Sequence, residues 1–347
     1  MQNRTTIKDV AALAQVSKSA VSTVLSPRSH NIRVAEKTRQ RILDAAKKLS
    51  YQPNILAKSL TRSKSFLLGY YFGAYTWHIA SKCIKEIEKV CHQNNYSLIV
   101  YPSSSLQEEQ EHLQLGINRH LDGIIATPYI SSEGDSNVET YSLIAKRIPV
   151  IQLVSHISDL FPLVSRDYMN IGYDAVKNLI RQGHRKIGLL VHSNYLNPVT
   201  GQSSYSIYQG YLRAMKEAKL EAAIFPGQSL DCNSTPEFMG DLSGKNELPS
   251  AFVADSNTLA YRAMAIFREN NMRVPEDISV ISCADDIIFP DYVFPELTHY
   301  PVSFETIGKV ATAKCLNLPG TDPANKLYFK QHLQEGLSVA PLKTEKT

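Results

Sequence analysis

Residues 6 to 26, TIKDVAALAQVSKSAVSTVLS, hold two short helical patterns with only a few residues between them, which constrains the fold more than any other stretch. Thr6 with Asp9 three residues on reads as a capping box that starts a first helix at about Ile7. Ser17 is a good N-cap for a second helix from Lys18 to about Leu25. Gln15 and Val16 make the turn between them, with the valine turned inward. Val10, Ala11, Ala14, Val16, Val21 and Val24 then form a common core. A third amphipathic helix over about Ala35 to Leu49 closes it through Ile42, Ala46 and Leu49. Lys18, Ser19, Ser22 and Thr23 are left on the side of the second helix away from that core. A hairpin that only had to be stable has no need of small polar side chains there. A helix that enters a DNA major groove does, because bulk would hold its backbone off the base edges.

Charge points the same way. Residues 1–65 carry 13 Lys/Arg against 3 Asp/Glu, or +10, and the rest carries 24 against 30, or −6; the total of +4 conceals a basic head on a mildly acidic body. Such asymmetry fits a head that meets a polyanion.

These residues resemble a known family. TIKDVAALAQVSKSAVSTVLS followed by VAEKTRQRILDAAKKLSYQPNILAKSL is similar to the DNA-binding head of the lactose/galactose-repressor family of bacterial transcriptional regulators. DYMNIGYDAVKNLIRQGHRKIGLL, LPSAFVADSNTLAYRAM and VPEDISVISCADD resemble further family segments in the same order, so the likeness runs through nearly the whole chain. It implies that Lys18, Ser19 and Thr23 read bases and that Ser22 and neighbouring amides hold phosphates, with Thr6 and Ser17 at the helix starts completing the DNA-contacting set. Gln15 departs from the Gly or Asn usual at that turn; a left-handed conformation there costs roughly 1 kcal/mol. The turn SPRSHNIR is longer than usual.

Beyond the head, Pro53 breaks the third helix, and Asn54 can cap a segment, Ile55 to Leu60, too short to be helical alone in water. The resemblance makes this a hinge helix that folds when two subunits meet over the minor groove. Leu60 would be the wedge that opens a central base step, with Lys58 along the backbone.

From Phe66 on, short apolar strands (LLGYYF, YSLIVYP, LDGIIATP, IPVIQLV, KIGLLVH, SAFVA, DISVIS) alternate with amphipathic helices near 79–94, 106–119, 139–147, 170–182, 204–219, 257–270 and 304–316. Repeated βα units imply parallel sheets with helices on both faces. The expected architecture is therefore an α-helical helix-turn-helix head over 1–49, a hinge over 50–65, and an α/β two-lobed body over 66–347. The resemblance makes the body periplasmic-binding-protein-like. Lobe 1 would take about 66–163 and 293–325, and lobe 2 about 164–292 and 326–347.

The effector cleft is where the sequence departs most from its relatives. Strands of such lobes end at the cleft, so their C-terminal loops supply binding groups. Family members place an Arg three residues before the glycine of the 204–219 helix, where this chain has Ile207 ahead of Gly210. They place an Asp where this chain has Asn257, with Asp255 two residues earlier. The loop after the first strand reads GAYTWH and brings Tyr75, Trp77 (the one tryptophan) and His78 to the mouth. Tyr205 and Asp285 complete the expected pocket. Aromatic rings suit a sugar face and an amide suits hydroxyls, so a small neutral effector, a sugar, is expected, and a regulator with a degenerate pocket that acts constitutively or through a protein partner is the alternative.

Other classes find no support. GxSxG, HExxH and P-loop motifs are missing, which argues against an enzyme. The five cysteines are scattered without zinc spacing and the ten histidines show no ligand pattern, so no metal or cofactor is expected. MQNRTTIKD has no apolar core of a signal peptide, and FLLGYYFGAY is too short to span a bilayer. The reading is a cytoplasmic, nucleoid-associated homodimer on a pseudo-palindromic double-stranded DNA operator, a repressor of carbohydrate-use genes without membrane contact. PLKTEKT at the end shows no leucine heptads for a tetramerisation tail.

Overall fold

A computed structural model describes residues 5–25, 34–51, 64–199, 202–227, 248–284, 293–301 and 303–342, apart from the His78 side chain. The chain divides into two compact units, 1–65 and 66–347.

The first unit contains α1 (Ile7–Leu13), α2 (Lys18–Val24) and α3 (Glu36–Lys48). α1 and α2 start where the caps Thr6 and Ser17 place them. Val10, Ala14, Val21, Val24, Ile42 and Ala46 are buried together, with Val16 and Leu49 packed against them.

The second unit is built from two parallel sheets. The first holds β1 (Leu67–Gly73), β2 (Ser97–Ser103), β3 (Gly123–Thr127), β4 (Val150–Leu153), β5 (Leu163–Arg166) and β11 (Lys326–Phe329), in the order β11-β5-β4-β3-β1-β2. The second holds β6 (Ile187–His192), β7 (Ala223–Gly227), β8 (Ala251–Ala254), β9 (Ser279–Ser282) and β10 (Thr298–His299), in the order β10-β9-β8-β6-β7. Because side chains alternate along a strand, each sheet buries two apolar faces. In lobe 1, Leu68, Tyr70 and Phe72 of β1 face α4 (Trp77–Gln93) and α10 (Phe304–Cys315). Tyr71 faces the other way, toward α5 (Leu106–Asn118) and α6 (Val138–Ala145). In lobe 2, Leu189 and Val191 of β6 meet α7 (Tyr168–Arg181) and α8 (Gln202–Glu217). Leu190 meets α9 (Asn257–Glu269) on the opposite face.

The chain crosses between lobes between Arg166 and Tyr168, between His299 and Phe304, and between Phe329 and Gln334. This corrects the expected crossings near 163, 293 and 325. β10 extends the lobe 2 sheet, whereas β11 joins β5 at the edge of the lobe 1 sheet. The last described residues return to lobe 2, where Val280 N donates to Ser338 O at 2.8 Å. Gly183 adopts φ 96 after α7. The buried His184 beside it donates from Nε2 to Ala340 O at 3.1 Å and accepts at Nδ1 from the Ser250 hydroxyl at 2.9 Å. Gly-His-Arg is thus a structural joint that pins the C-terminal segment. Cys83, Cys91, Cys283 and Cys315 are free and buried.

Candidate nucleic-acid interface and effector cleft

In the head, the Asp9 carboxylate accepts from Thr6 N and Thr6 Oγ1 at 2.7 Å each. The backbone bond first, then the hydroxyl bond, holds Asp9 below the usual carboxylate range. Ser17 Oγ accepts from Ala20 N at 3.2 Å and lies 2.8 Å from the Ser19 hydroxyl. Thr6 and Ser17 therefore fix where the helices begin. Gln15 does take the left-handed conformation, at φ 50. Arg41 Nη2 clamps the same turn by donating to Ala14 O at 2.9 Å. With Val21 and Val24 buried, Lys18, Ser19 and Ser22 are exposed on α2 and Thr23 is half-buried. Lys58 and Leu60 lie outside the described residues.

In the second unit the C-terminal ends of the two sheets approach each other. His156, in the turn after β4, is joined to the Gln202 side chain by two hydrogen bonds: His156 N donates to Gln202 Oε1 at 2.8 Å and Gln202 Nε2 donates to His156 O at 2.6 Å. Gln202 opens α8, so this amide ties one lobe's strand ends to the other's. Val154 turns the chain there at φ 67, a conformation β-branched residues seldom adopt.

On the lobe 1 side, Tyr75 and Trp77 are 52% and 56% exposed. Tyr75 meets the Tyr129 ring edge-on at 5.6 Å and its hydroxyl accepts from Ile130 N at 3.3 Å. Trp77 leans on Phe72 at 5.7 Å. Both rings are anchored along one edge and open to solvent elsewhere.

Lobe 2 presents a polar cluster. Asp255 follows β8 directly, and its Oδ2 accepts from His192 N at 2.9 Å, His192 Nδ1 at 2.9 Å and Ser204 Oγ at 2.6 Å. Burial on its own would raise this carboxyl, but the His192 imidazole, then the Ser204 hydroxyl and the His192 amide, hold it below the ordinary range. Ser256 caps α9 by accepting from Leu259 N at 3.3 Å. Asn257, the first residue of that helix, is fully enclosed, and Tyr205 is half-buried on α8.

Ile207 requires a correction. It is wholly enclosed in the lobe 2 core with Ile171, Ala175 and Tyr211, and so packs α8 against α7 rather than walling a cleft. Asp285 and the His78 side chain lie outside the described residues. Among those described, no group of three or more His, Cys, Asp or Glu could hold a metal, and no helix is long and apolar enough to cross a membrane.

Known proteins match the chain in two parts. Residues 6–54 match bacterial regulatory proteins of the lacI family, and residues 176–338 match the periplasmic binding protein-like domain. The head is thus similar to that of lacI-family regulators. It is 29% identical over 320 residues to the HTH-type transcriptional repressor PurR of Haemophilus influenzae (strain PittEE), covering 88% of each chain. It is 27% identical over 319 residues to the ribose operon repressor of Haemophilus influenzae (strain ATCC 51907 / DSM 11121 / KW20 / Rd), covering 90% of this chain and 91% of that one. The structure of the Lac repressor dimer bound to operator and the anti-inducer ONPF shares the fold, with TM-score 0.77 at 22% identity over 97% of this chain and 100% of that one.

With a head that matches bacterial regulatory proteins and relatives named as repressors, the chain is a DNA-binding transcriptional regulator and not an enzyme. Within that frame, sequence reasoning missed His192 and Ser204. The signal was available in part: His192 ends the strand KIGLLVH, where a parallel sheet delivers groups to a ligand. Ser204 carried no such mark, because only the approach of α8 to β8 brings it to Asp255.

Proposed function

We propose that the protein is a repressor that binds a pseudo-palindromic operator as a homodimer, each protomer placing α2 in a major groove. The observation that carries this is the exposed row of Lys18, Ser19 and Ser22 opposite buried Val21 and Val24. Short polar side chains let the helix backbone close on base edges, and Lys18 is the side chain suited to guanine O6 and N7. Lys37 and Arg39 of α3 supply phosphate contacts. Leu60, with Lys58 beside it, is the minor-groove wedge in this reading. Relatives named as repressors, and a neighbour solved as a dimer on its operator, support it.

We further propose that the cleft takes a neutral carbohydrate. Tyr75 and Trp77 offer ring faces for stacking. The ionised Asp255 opposes an anion, which would cost several kcal/mol to bury unpaired. Lobe closure on the sugar would alter the spacing of the two heads and so the grip on DNA.

Fluorescence anisotropy on a duplex selected from a random pool tests both parts. A neutral saccharide should shift operator affinity by about tenfold, in the usual range of allosteric coupling. If only phosphorylated sugars acted, the neutral-ligand reading would fail. Strong operator binding indifferent to every compound would instead favour a regulator without small-molecule control.

A further inference from the structure

We propose that Asp255, oriented by His192 and Ser204, is the hydroxyl-binding anchor of the cleft, using its second carboxylate oxygen to accept a hydrogen bond from a neutral polyhydroxylated ligand. This rests on the effector reading above. It moves the anchor from the relatives' position, here Asn257, to the strand end two residues earlier.

The carboxylate is lopsided. Its side chain is 1% exposed. Oδ2 holds three donors, whereas Oδ1 is buried with no hydrogen-bond partner among the described residues. Three donors on one oxygen fix the plane of the group and the direction of the other. They arrive from separate elements, two from the last residue of β6 and one from the first turn of α8, so the carboxylate is held as rigidly as the sheet. A buried acceptor oxygen left without a donor is costly. Here it belongs to the residue directly after β8, where lobe 2 delivers its groups toward lobe 1.

Charge narrows what can complete it. The group is ionised at neutral pH, so a phosphate or carboxylate is repelled in a setting where screening is weak. An ammonium would be drawn to the same carboxylate, which is why spermidine belongs in the test. A hydroxyl satisfies the oxygen without adding charge. Its carbon skeleton can lean on Tyr75 or Trp77, and Trp77 lies one helix start away from Tyr75 with no second tryptophan in the chain.

The test is titration of Trp77 fluorescence in the full-length protein with D-ribose, D-glucose, D-galactose and lactose, beside glucose 6-phosphate and spermidine. In Asp255→Asn the amide oxygen can replace Oδ2, and an NH2 donor then stands where Oδ1 was an acceptor. A neutral sugar should saturate the wild-type signal, and Asp255→Asn should weaken it by about tenfold or more. Ser204→Ala, which removes one orienting donor and no ligand contact, should weaken the same sugar less and serves if Asp255→Asn does not fold. A sugar that bound wild type and both variants alike would overturn the anchor and leave the effector reading standing. Preferential binding of glucose 6-phosphate or spermidine would overturn the ligand class. Silence of the wild type toward the whole panel would remove the effector reading and the anchor together.

Discussion

On α2, Val21 and Val24 are buried while Lys18, Ser19 and Ser22 are exposed, so packing and recognition occupy opposite sides of one helix. At the strand ends of lobe 2 the same residues do both. Ser204 and Asp255 are buried and bonded to each other, and the proposed ligand would meet them there. A helix in the head can change its reading face without touching its core. A cleft built from strand ends cannot change its anchor without disturbing what holds two elements together. Recognition in the head should therefore be separable from stability, and recognition in the cleft should not.

The largest expected effect is on the cleft side. Asp255→Ala would leave His192 N, His192 Nδ1 and the Ser204 hydroxyl without their acceptor, at a cost of about 3 kcal/mol. Urea unfolding should register it; a loss well under 1 kcal/mol would mean that the cluster is not part of the lobe's framework. In the head, Ser17→Ala removes the cap on Ala20 N, and should cost about 1 kcal/mol of local stability, read as faster amide exchange in α2 with no change in the body. Gln15→Gly should stabilise the same turn by somewhat less than about 1 kcal/mol, since φ 50 suits glycine. Slower exchange in the turn would confirm it, and faster exchange would mean that the Gln15 side chain matters more than its backbone. The smallest effect on stability belongs to Lys18→Ala, within about 0.5 kcal/mol, as for exposed residues away from special features. A larger loss would put Lys18 in the framework and close the gap between the two regions.

The same contrast explains what the sequence disclosed. Thr6, Asp9 and Ser17 act on backbone within one turn of themselves, so the helix starts of the head could be read from spacing alone. The apolar runs of β1, β3 and β6 were equally legible, because a strand buried on both faces has nowhere to place a polar residue. β11 is short, half-exposed and at a sheet edge, and it joins lobe 1 by pairing with β5 across nearly half the chain, which no local pattern encodes. Ile207 was misplaced for a similar reason. The direction in which α8 turns it depends on how closely α7 approaches: a Cβ on Gly172 would come within 2.4 Å of Ile207 O, and one on Gly210 within 2.0 Å of Met169 O. That glycine-lined contact buries Ile207, and neither glycine announces its partner in sequence. His192 and Ser204 converge on Asp255 through the same long-range packing.

The central claim is that the exposed face of α2 reads base pairs, and operator selection tests it most directly. Full-length wild type and Lys18→Ala would each be taken through rounds of binding to random duplexes, and the enriched sequences compared. Wild type should return a two-fold-related consensus. Lys18→Ala should return the same consensus relaxed at one position in each half-site, with a discrimination loss there of about 1–3 kcal/mol. An unchanged consensus from Lys18→Ala, or no enrichment from wild type, would contradict the account.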